Sequence, residues 1–475
     1  MANARMRFLG RDDIDRIYST ALKTLEEVGV HVHSEEVSKL LLEVAGATRT
    51  KDGRRITISE DVVKEALASA PKKILLASID GDHDITIPSG DGTLYVTNGG
   101  EGVRMVDLIT GETRPSESSD LRNFAKLIDA LPQVDFCWGM VGALEEPPAT
   151  KEVVELKISL EWTSKHVQTG ATTADQARKM VQMASVLTNG PDDLAKRPII
   201  SAVQCPISPL AFEKGLVEAQ VEFARAGIPV VAMVATVAGL TSPITIAGTM
   251  AQITAENLAS LVISQAARKG APFVFSCDSS PGDLKTGSID YGALEMPLFR
   301  TAAGEIGEYL GLPKMVAGVG LENLSSTLGN LWEGVAYVAT QSLVPSDLGS
   351  GLGGLDQAVG ASYEQLVLDA WVWEIARELR REFDTSDDAI SYETIASAGI
   401  DGNFLGKRHT AMRFKSGFTS TRMPETTMST RLKAAERGEA VARAHIEAKR
   451  ILGEQWKPKV SPEQSARMDD IVHGR

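Results

Sequence analysis

The chain has 475 residues, is 43% hydrophobic, and sets 63 acidic against 49 basic side chains for a formal charge of −14. That length buries a large core, and the acidic balance without a Lys/Arg stripe argues against nucleic acid as a partner. No segment has the uninterrupted apolar length of a membrane span, and Met1 to Arg7 is charged without an apolar signal core behind it, so the expected location is cytoplasmic. Three cysteines, Cys137, Cys205 and Cys277, are too few and too scattered for a disulfide framework.

Taken in order, residues 11–29 carry apolar positions at Ile14, Ile17, Leu22, Leu25 and Val28 and end at Gly29, the pattern of a capped amphipathic helix. Ser34 and Ser59, each followed by two acids, open two more helices. From 72 to 114 the texture changes to short β-like runs cut by Gly-Asp and Ser-Gly turns, including 75–78 and 94–97. Ser118 or Ser119 caps the next helix. Residues 134–141 read as a first barrel strand and 166–170 as a second.

Four apolar, β-branched runs then recur at 198–204, 229–235, 272–277 and 314–320, separated by helical intervals at 212–226, 253–269 and 298–310. Runs apolar on both faces suit a parallel sheet covered by helices. Each run stops at small and polar residues, among them Cys205-Pro206-Ile207-Ser208-Pro209, Ala238-Gly239-Leu240-Thr241-Ser242-Pro243 and Asp278-Ser279-Ser280-Pro281. In a parallel barrel such loops converge on one mouth, where the chemistry is kept. Residues 329–343 read as helix, 347–354 as a seventh strand or loop, and 362–383 as an amphipathic helix. The best candidate for an eighth strand lies near Asn403-Phe404-Leu405. After Met423 the chain is charged and Ala-rich, with a helix at 429–451 packed outside the barrel or against another subunit. The expected fold is therefore a (β/α)8 TIM barrel at 118–423, with a small α+β extension at 1–117 and C-terminal helices at 424–475.

All three cysteines follow predicted strands, so a zinc site for activating a thiol or alcohol needs them to converge at the mouth; their spacing is not that of a zinc motif. His166 in a βα unit reads as a hydrogen-bonded structural residue, and His409 as a candidate to touch substrate. More suggestive are aromatics and carboxylates in the loop regions, Tyr95, Glu101, Tyr291, Glu295, Glu322, Trp332, Glu333, Asp356, Tyr363 and Glu364, with the amides Asn98 and Gln168 as further substrate-binding candidates and Tyr95, Tyr291, Trp332 and Tyr363 as a candidate aromatic cage. Aromatic faces beside carboxylates stabilise a quaternary ammonium, which offers no hydrogen bond.

The passages from Arg197-Pro198-Ile199-Ile200 through Cys205-Pro206-Ile207-Ser208-Pro209-Leu210, then Ala226-Gly227-Ile228-Pro229, Asp283-Leu284-Lys285-Thr286-Gly287 and Ala361-Ser362-Tyr363-Glu364, resemble the trimethylamine:corrinoid methyltransferase family in order and spacing over nearly the whole chain. The resemblance implies an (α/β)8 barrel that passes a methyl group from an amine to the cob(I)alamin of a separate corrinoid protein docked at the mouth, with no metal or cofactor held tightly by the barrel itself. Family members of the founding type carry pyrrolysine in a loop matching Ser325-Ser326-Thr327-Leu328-Gly329-Asn330, where this chain has Leu328 or a neighbour. Members without pyrrolysine are similar to demethylases of glycine betaine and related betaines, which is the function expected here. Two other readings are a zinc-dependent thiol or alcohol methyltransferase and a catalytically silent betaine-binding barrel.

Overall fold

The computed structural model describes residues 4–318, 337–356, 359–417 and 437–474. Eight strands form one sheet: β1 (Tyr95–Asn98), β2 (Cys137–Trp138), β3 (Val167–Gly170), β4 (Ile200–Gln204), β5 (Val230–Val234), β6 (Phe273–Cys277), β7 (Lys314–Gly318) and β8 (Leu348–Leu352). They run in the order β1-β8-β7-β6-β5-β4-β3-β2, and every neighbouring pair is parallel. The four apolar runs became β4 to β7 because strands buried on both faces need no polar side.

The eighth strand is not near Asn403. It is β1, which precedes the strand expected to be first and lies within the stretch assigned to the N-terminal extension. β1 meets β2 through few backbone bonds: the Asp135 N–H donates to the Val96 carbonyl at 2.8 Å. Side chains supply the rest: the Asn98 amide accepts from the Trp138 N–H at 3.0 Å and donates to the Trp138 carbonyl, the Thr97 hydroxyl donates to the Phe136 carbonyl at 2.7 Å, and the Asp135 carboxylate accepts the Val96 N–H at 2.7 Å. A buried side chain thus imitates a strand partner and draws the barrel together.

Alternation along each strand sorts two cores. Val96, Cys137, Val167, Ile200, Val230, Phe273 and Phe275 join the layer under the helices. Phe136, Val203, Val231, Met233, Val274, Met315 and Leu348 form an inner cluster with Ile74, Leu76, Ile85 and Ile87. The last four belong to an antiparallel hairpin, Ile74–Leu76 with Ile85–Ile87. It plugs the end where strands begin, since Ala77 N–H bonds the Pro198 carbonyl and Ile79 N–H the Ser164 carbonyl, just ahead of β4 and β3.

Outside the barrel, the N-terminal helices Arg11–Lys23, Glu35–Glu43 and Glu60–Ser69 pack on the helix Ile246–Ala267. That explains why this 22-residue helix has 16 buried positions and no polar face. Gly29 ends the first helical segment at φ 74°, where an added Cβ would stand 2.5 Å from the Ile56 carbonyl oxygen. The helix starting at Ser118 takes its cap from Asp120, not from Ser118 or Ser119: Asp120 accepts the Glu117 N–H at 3.0 Å and is held by Arg114. The C-terminal helices Arg437–Leu452 and Pro462–His473 pack against the barrel's helices, with Lys459 paired to Asp129 at 2.7 Å. Among the described residues no helix is long and apolar enough to cross a membrane.

Candidate active site

At the carboxyl ends of the strands the barrel interior opens into a well. Val203 and Met233 form its base, 9% and 7% exposed. Trp138, Gly170, Cys205, Ala235 and Asp278 end the inward-facing columns above them, each partly accessible, and Glu101 arches over from the loop after β1. A Cβ built on Gly170 would stand 3.5 Å from Glu101 Oε1, so the carboxyl lies across the end of β3. Glu101 holds a left-handed backbone at φ 61°, a conformation that costs a non-glycine residue about 1 kcal/mol or more and clusters at functional sites. Its N–H is fixed on the Gly139 carbonyl at 2.8 Å. Gly100 passes flat over the Trp138 indole, where a Cβ would come within 2.4 Å of the ring; only glycine fits.

Two carboxyl groups dominate the electrostatics. Burial pushes the Glu101 carboxyl up, with Lys151 opposing and Glu152 adding to the rise. Burial also pushes up Asp278, while Arg300 and the Tyr291 hydroxyl pull it back. Tyr291 donates to Asp278 at 2.8 Å, and Arg300 approaches it at 3.6 Å. The Arg300 guanidinium occupies the space beside Gly318 at the end of β7, where any side chain would collide with it. Burial raises the Cys205 thiol to about 12, and the charges of Glu101 and Asp278 both add to that shift. Behind Glu101, Lys151 pairs with Glu155 at 3.0 Å. Burial lifts Glu155 to about 7 despite Lys151 and the Ala143 N–H.

Several expected site residues lie elsewhere. Tyr95 begins β1 instead of ending it, and lines a cavity of about 290 Å³ at the plugged end, with Asp84, Asp129, Asp135 and Lys165. Tyr363 is buried between helices, stacked at 4.5 Å on Phe124 and donating to Asp120 at 3.0 Å. Asn98 spends its amide on the barrel seam. His409 sits on the helix Arg408–Gly417, in a segment whose described hydrogen bonds run within itself, and nothing described brings it to the mouth. Glu295 and Asp356 are exposed on the rim, after β6 and β8. Glu101, Gln168 and Tyr291 come together at the well. Glu322, Leu328, Trp332 and Glu333 lie outside the described residues.

His166 is structural: burial lowers it to about 4, and its ring sits between the Ala77 carbonyl at 3.1 Å and the Ser201 hydroxyl at 2.9 Å. The cysteines do not converge, because Cys137 and Cys277 turn outward into the helix layer while Cys205 faces the well. Among the described residues no group of three His, Cys, Asp or Glu side chains is placed to hold a metal ion.

The sequence reading missed Trp138, Asp278, Arg300 and Lys151. Trp138 was the most readable, an aromatic closing the run Phe136-Cys137-Trp138 just before Gly139. Apolar side chains ring the mouth: Val103, Leu144, Ile207, Leu240, Leu284 and Leu294 are each more than 40% exposed, on loops after five different strands. Exposed apolar side chains clustered on one face mark an interaction surface.

An eight-stranded parallel barrel, plugged at one end and open at the other onto paired carboxyls, has the layout of a barrel enzyme with its site in the βα loops. The family model for trimethylamine methyltransferase (MTTB) matches residues 2–475. A trimethylamine methyltransferase MttB of Desulfitobacterium hafniense is 28% identical over 96% of this chain and 91% of its own. A glycine betaine methyltransferase of Desulfitobacterium hafniense strain Y51 is 24% identical over 99% of this chain and 97% of its own. Among solved structures, the Methanosarcina barkeri monomethylamine methyltransferase MtmB shares the fold at TM-score 0.50 and 13% identity over 93% of each chain. The chain therefore belongs to the trimethylamine methyltransferase family, a family of methyltransferases whose members differ in the amine they take.

Proposed function

We propose that this protein demethylates glycine betaine or a related betaine, handing the methyl group to cob(I)alamin carried by a partner corrinoid protein docked on the mouth. The observation that carries the reading is the presence of two carboxyls, Glu101 and Asp278, around Cys205 at the open end of the barrel, with Tyr291 bonded to Asp278 and Trp138 under the Gly100-Glu101 turn. Carboxyls held above their usual range gain most from a fixed positive charge placed near them, and aromatic faces hold a cation that has no N–H. The apolar ring of the mouth supports a protein partner there.

The chemistry needs little more. Cobalt(I) attacks one N-methyl carbon in line; the C–N bond breaks as the Co–C bond forms, and the electron pair stays on nitrogen. The leaving group is a neutral tertiary amine, so no proton has to be moved. The barrel contributes orientation and exclusion of water. Trimethylamine is a different case, because it departs as an amide-like anion unless protonated, and this chain has Leu328 or a neighbour where the resemblance places pyrrolysine. Identities of 28% and 24% to relatives with different substrates do not decide between them; the residue chemistry favours the quaternary amine.

The test is to supply purified protein with cob(I)alamin and a panel of quaternary amines, following methylcobalamin and the demethylated amine together. Equal yields of both from at least one betaine support the proposal. Binding without transfer, with free cob(I)alamin and with its corrinoid protein, points to a silent binding barrel. Transfer only from thiols or alcohols, abolished by chelation, points to the zinc reading.

A further inference from the structure

The floor of the well contains polar groups that the reaction proposed above leaves without a task. Gln168 is 1% exposed, yet neither its amide nitrogen nor its amide oxygen has a hydrogen-bond partner. The Trp138 indole N–H is also buried and unpaired. The two residues are partners in the β2–β3 register. Both face inward: His166, two residues before Gln168, bonds inward-facing Ser201, and Trp138 packs on the inner cluster. Trp138 is tightly fixed, since Asn98 grips its backbone on both sides and Gly100 covers its ring. An unsatisfied buried polar group costs about 1 to 3 kcal/mol, so a pair of them closed over just beneath the well calls for a ligand atom.

We infer that Trp138 and Gln168 form a carboxylate-binding floor, which selects quaternary amines bearing an acid group and sets their orientation, acid down and ammonium up. The inference rests on the reading of the well as a quaternary-amine site. A quaternary ammonium has no hydrogen to share, so it leaves both N–H groups unpaired; a carboxylate satisfies both. The reverse orientation places the carboxylate against Glu101 and Asp278, like charge on like. The spacing agrees: Gly170 lies two residues above Gln168, roughly 7 Å along the strand. A hydrogen bond to a carboxylate, followed by one methylene, brings the ammonium to the level of Glu101 and Asp278. Gly170 has no side chain, so the column above Gln168 is covered by the Glu101 carboxyl and the Val203 carbonyl and not by a fixed side chain of β3 itself, and the methyl groups point out of the mouth toward the acceptor.

The test is calorimetric titration of the full chain with glycine betaine and with tetramethylammonium, which has the cation and no acid. The parent is expected to bind betaine more tightly. Trp138→Phe and Gln168→Met are each expected to weaken betaine by about tenfold or more, the scale of a hydrogen bond to a charged group, and tetramethylammonium by less than about twofold. Equal losses for both ligands, or no loss for betaine, overturn the inference. So does a parent that binds the two ligands equally, an outcome that leaves the quaternary-amine reading standing. A parent that binds neither overturns that reading and this inference with it. If Trp138→Phe fails to fold, Gln168→Met alone decides between these outcomes.

Discussion

The two ends of the barrel differ in how their charged side chains are partnered. At the plugged end Lys165 is buried with its ammonium donating to three carbonyls, those of Ile128, Leu131 and Val134. Asp135 there is paired with Arg377 at 2.8 Å, which opposes the rise that burial imposes on it, and Asp129 with Lys459 at 2.7 Å. At the open end two carboxyls are held above their normal range, Glu101 sits in a left-handed backbone, and Gln168 and Trp138 keep unpaired polar atoms. The same strands run between the two ends. A satisfied end contributes stability, whereas an unsatisfied end stores free energy that a bound ligand releases.

Substitutions at the two ends should therefore move different observables. The largest stability effect is expected from Lys165→Met, which strands three buried carbonyls and should cost about 3 to 5 kcal/mol. Urea denaturation reads that loss, and methyl transfer per folded molecule should stay unchanged. At the open end Glu101→Gln should do the reverse. A carboxyl whose folded value is raised contributes stability while protonated and loses it as pH rises through that folded value, so removing the charge should raise the melting temperature near neutral pH. Transfer from a betaine should fall by about tenfold or more with the loss of one carboxylate facing the cation. A Glu101→Gln protein that melts lower and transfers normally would erase the contrast.

The contrast has a pH signature too. Because Glu101 and Asp278 sit above their ordinary range by burial, a cation entering between them should pull protons off. Betaine affinity should thus rise with pH through their raised values, and titration in buffers of different ionisation enthalpy should show net proton release. Glu155, lifted by burial to about 7, adds stability fully below the unfolded value of 4.5 and loses it as pH climbs through 7. Its effect should be on the order of 3 kcal/mol. Glu155→Gln should flatten the fall in stability between about pH 5 and 8.

How far this division was legible in the sequence depended on what each residue's neighbours advertised. β4 to β7 were readable because strands buried on both faces are continuous apolar runs, and their bounds moved by only a few residues. β1 was read as a β-like run at 94–97 but not as a barrel strand, since Tyr95–Asn98 is short, carries Thr97 and Asn98, and lies among glycine turns. Placing it outside the barrel reversed the meaning of Tyr95, an aromatic that belongs to the mouth only if its strand ends there. Cys137 misled for a similar reason: it stands between inward-facing Phe136 and Trp138, so alternation turns it outward. Asp278 was readable as the residue closing β6, but Arg300 reaches the well from a helix, and no strand-end pattern announces such a residue.

The smallest expected effects come from the outward thiols. Burial raises Cys137 to about 12 and Cys277 to about 11, so both should resist alkylation at neutral pH until the chain is unfolded. Cys137→Ala and Cys277→Ala should each cost about 1 kcal/mol of stability and leave methyl transfer unchanged. Loss of transfer in both variants, with zinc recovered from the parent, would favour a thiolate metal site over the carboxyl well.

The most direct measurement sets glycine betaine beside trimethylamine under one set of conditions, with cob(I)alamin as acceptor and initial rates of methylcobalamin formation as the readout. A fixed ammonium leaves as a neutral amine and trimethylamine does not, and each 1.4 kcal/mol in barrier is about tenfold in rate. The predicted result is transfer from the betaine and none detectable from trimethylamine. Comparable rates from the two would contradict the account, because this barrel would then be activating a tertiary amine.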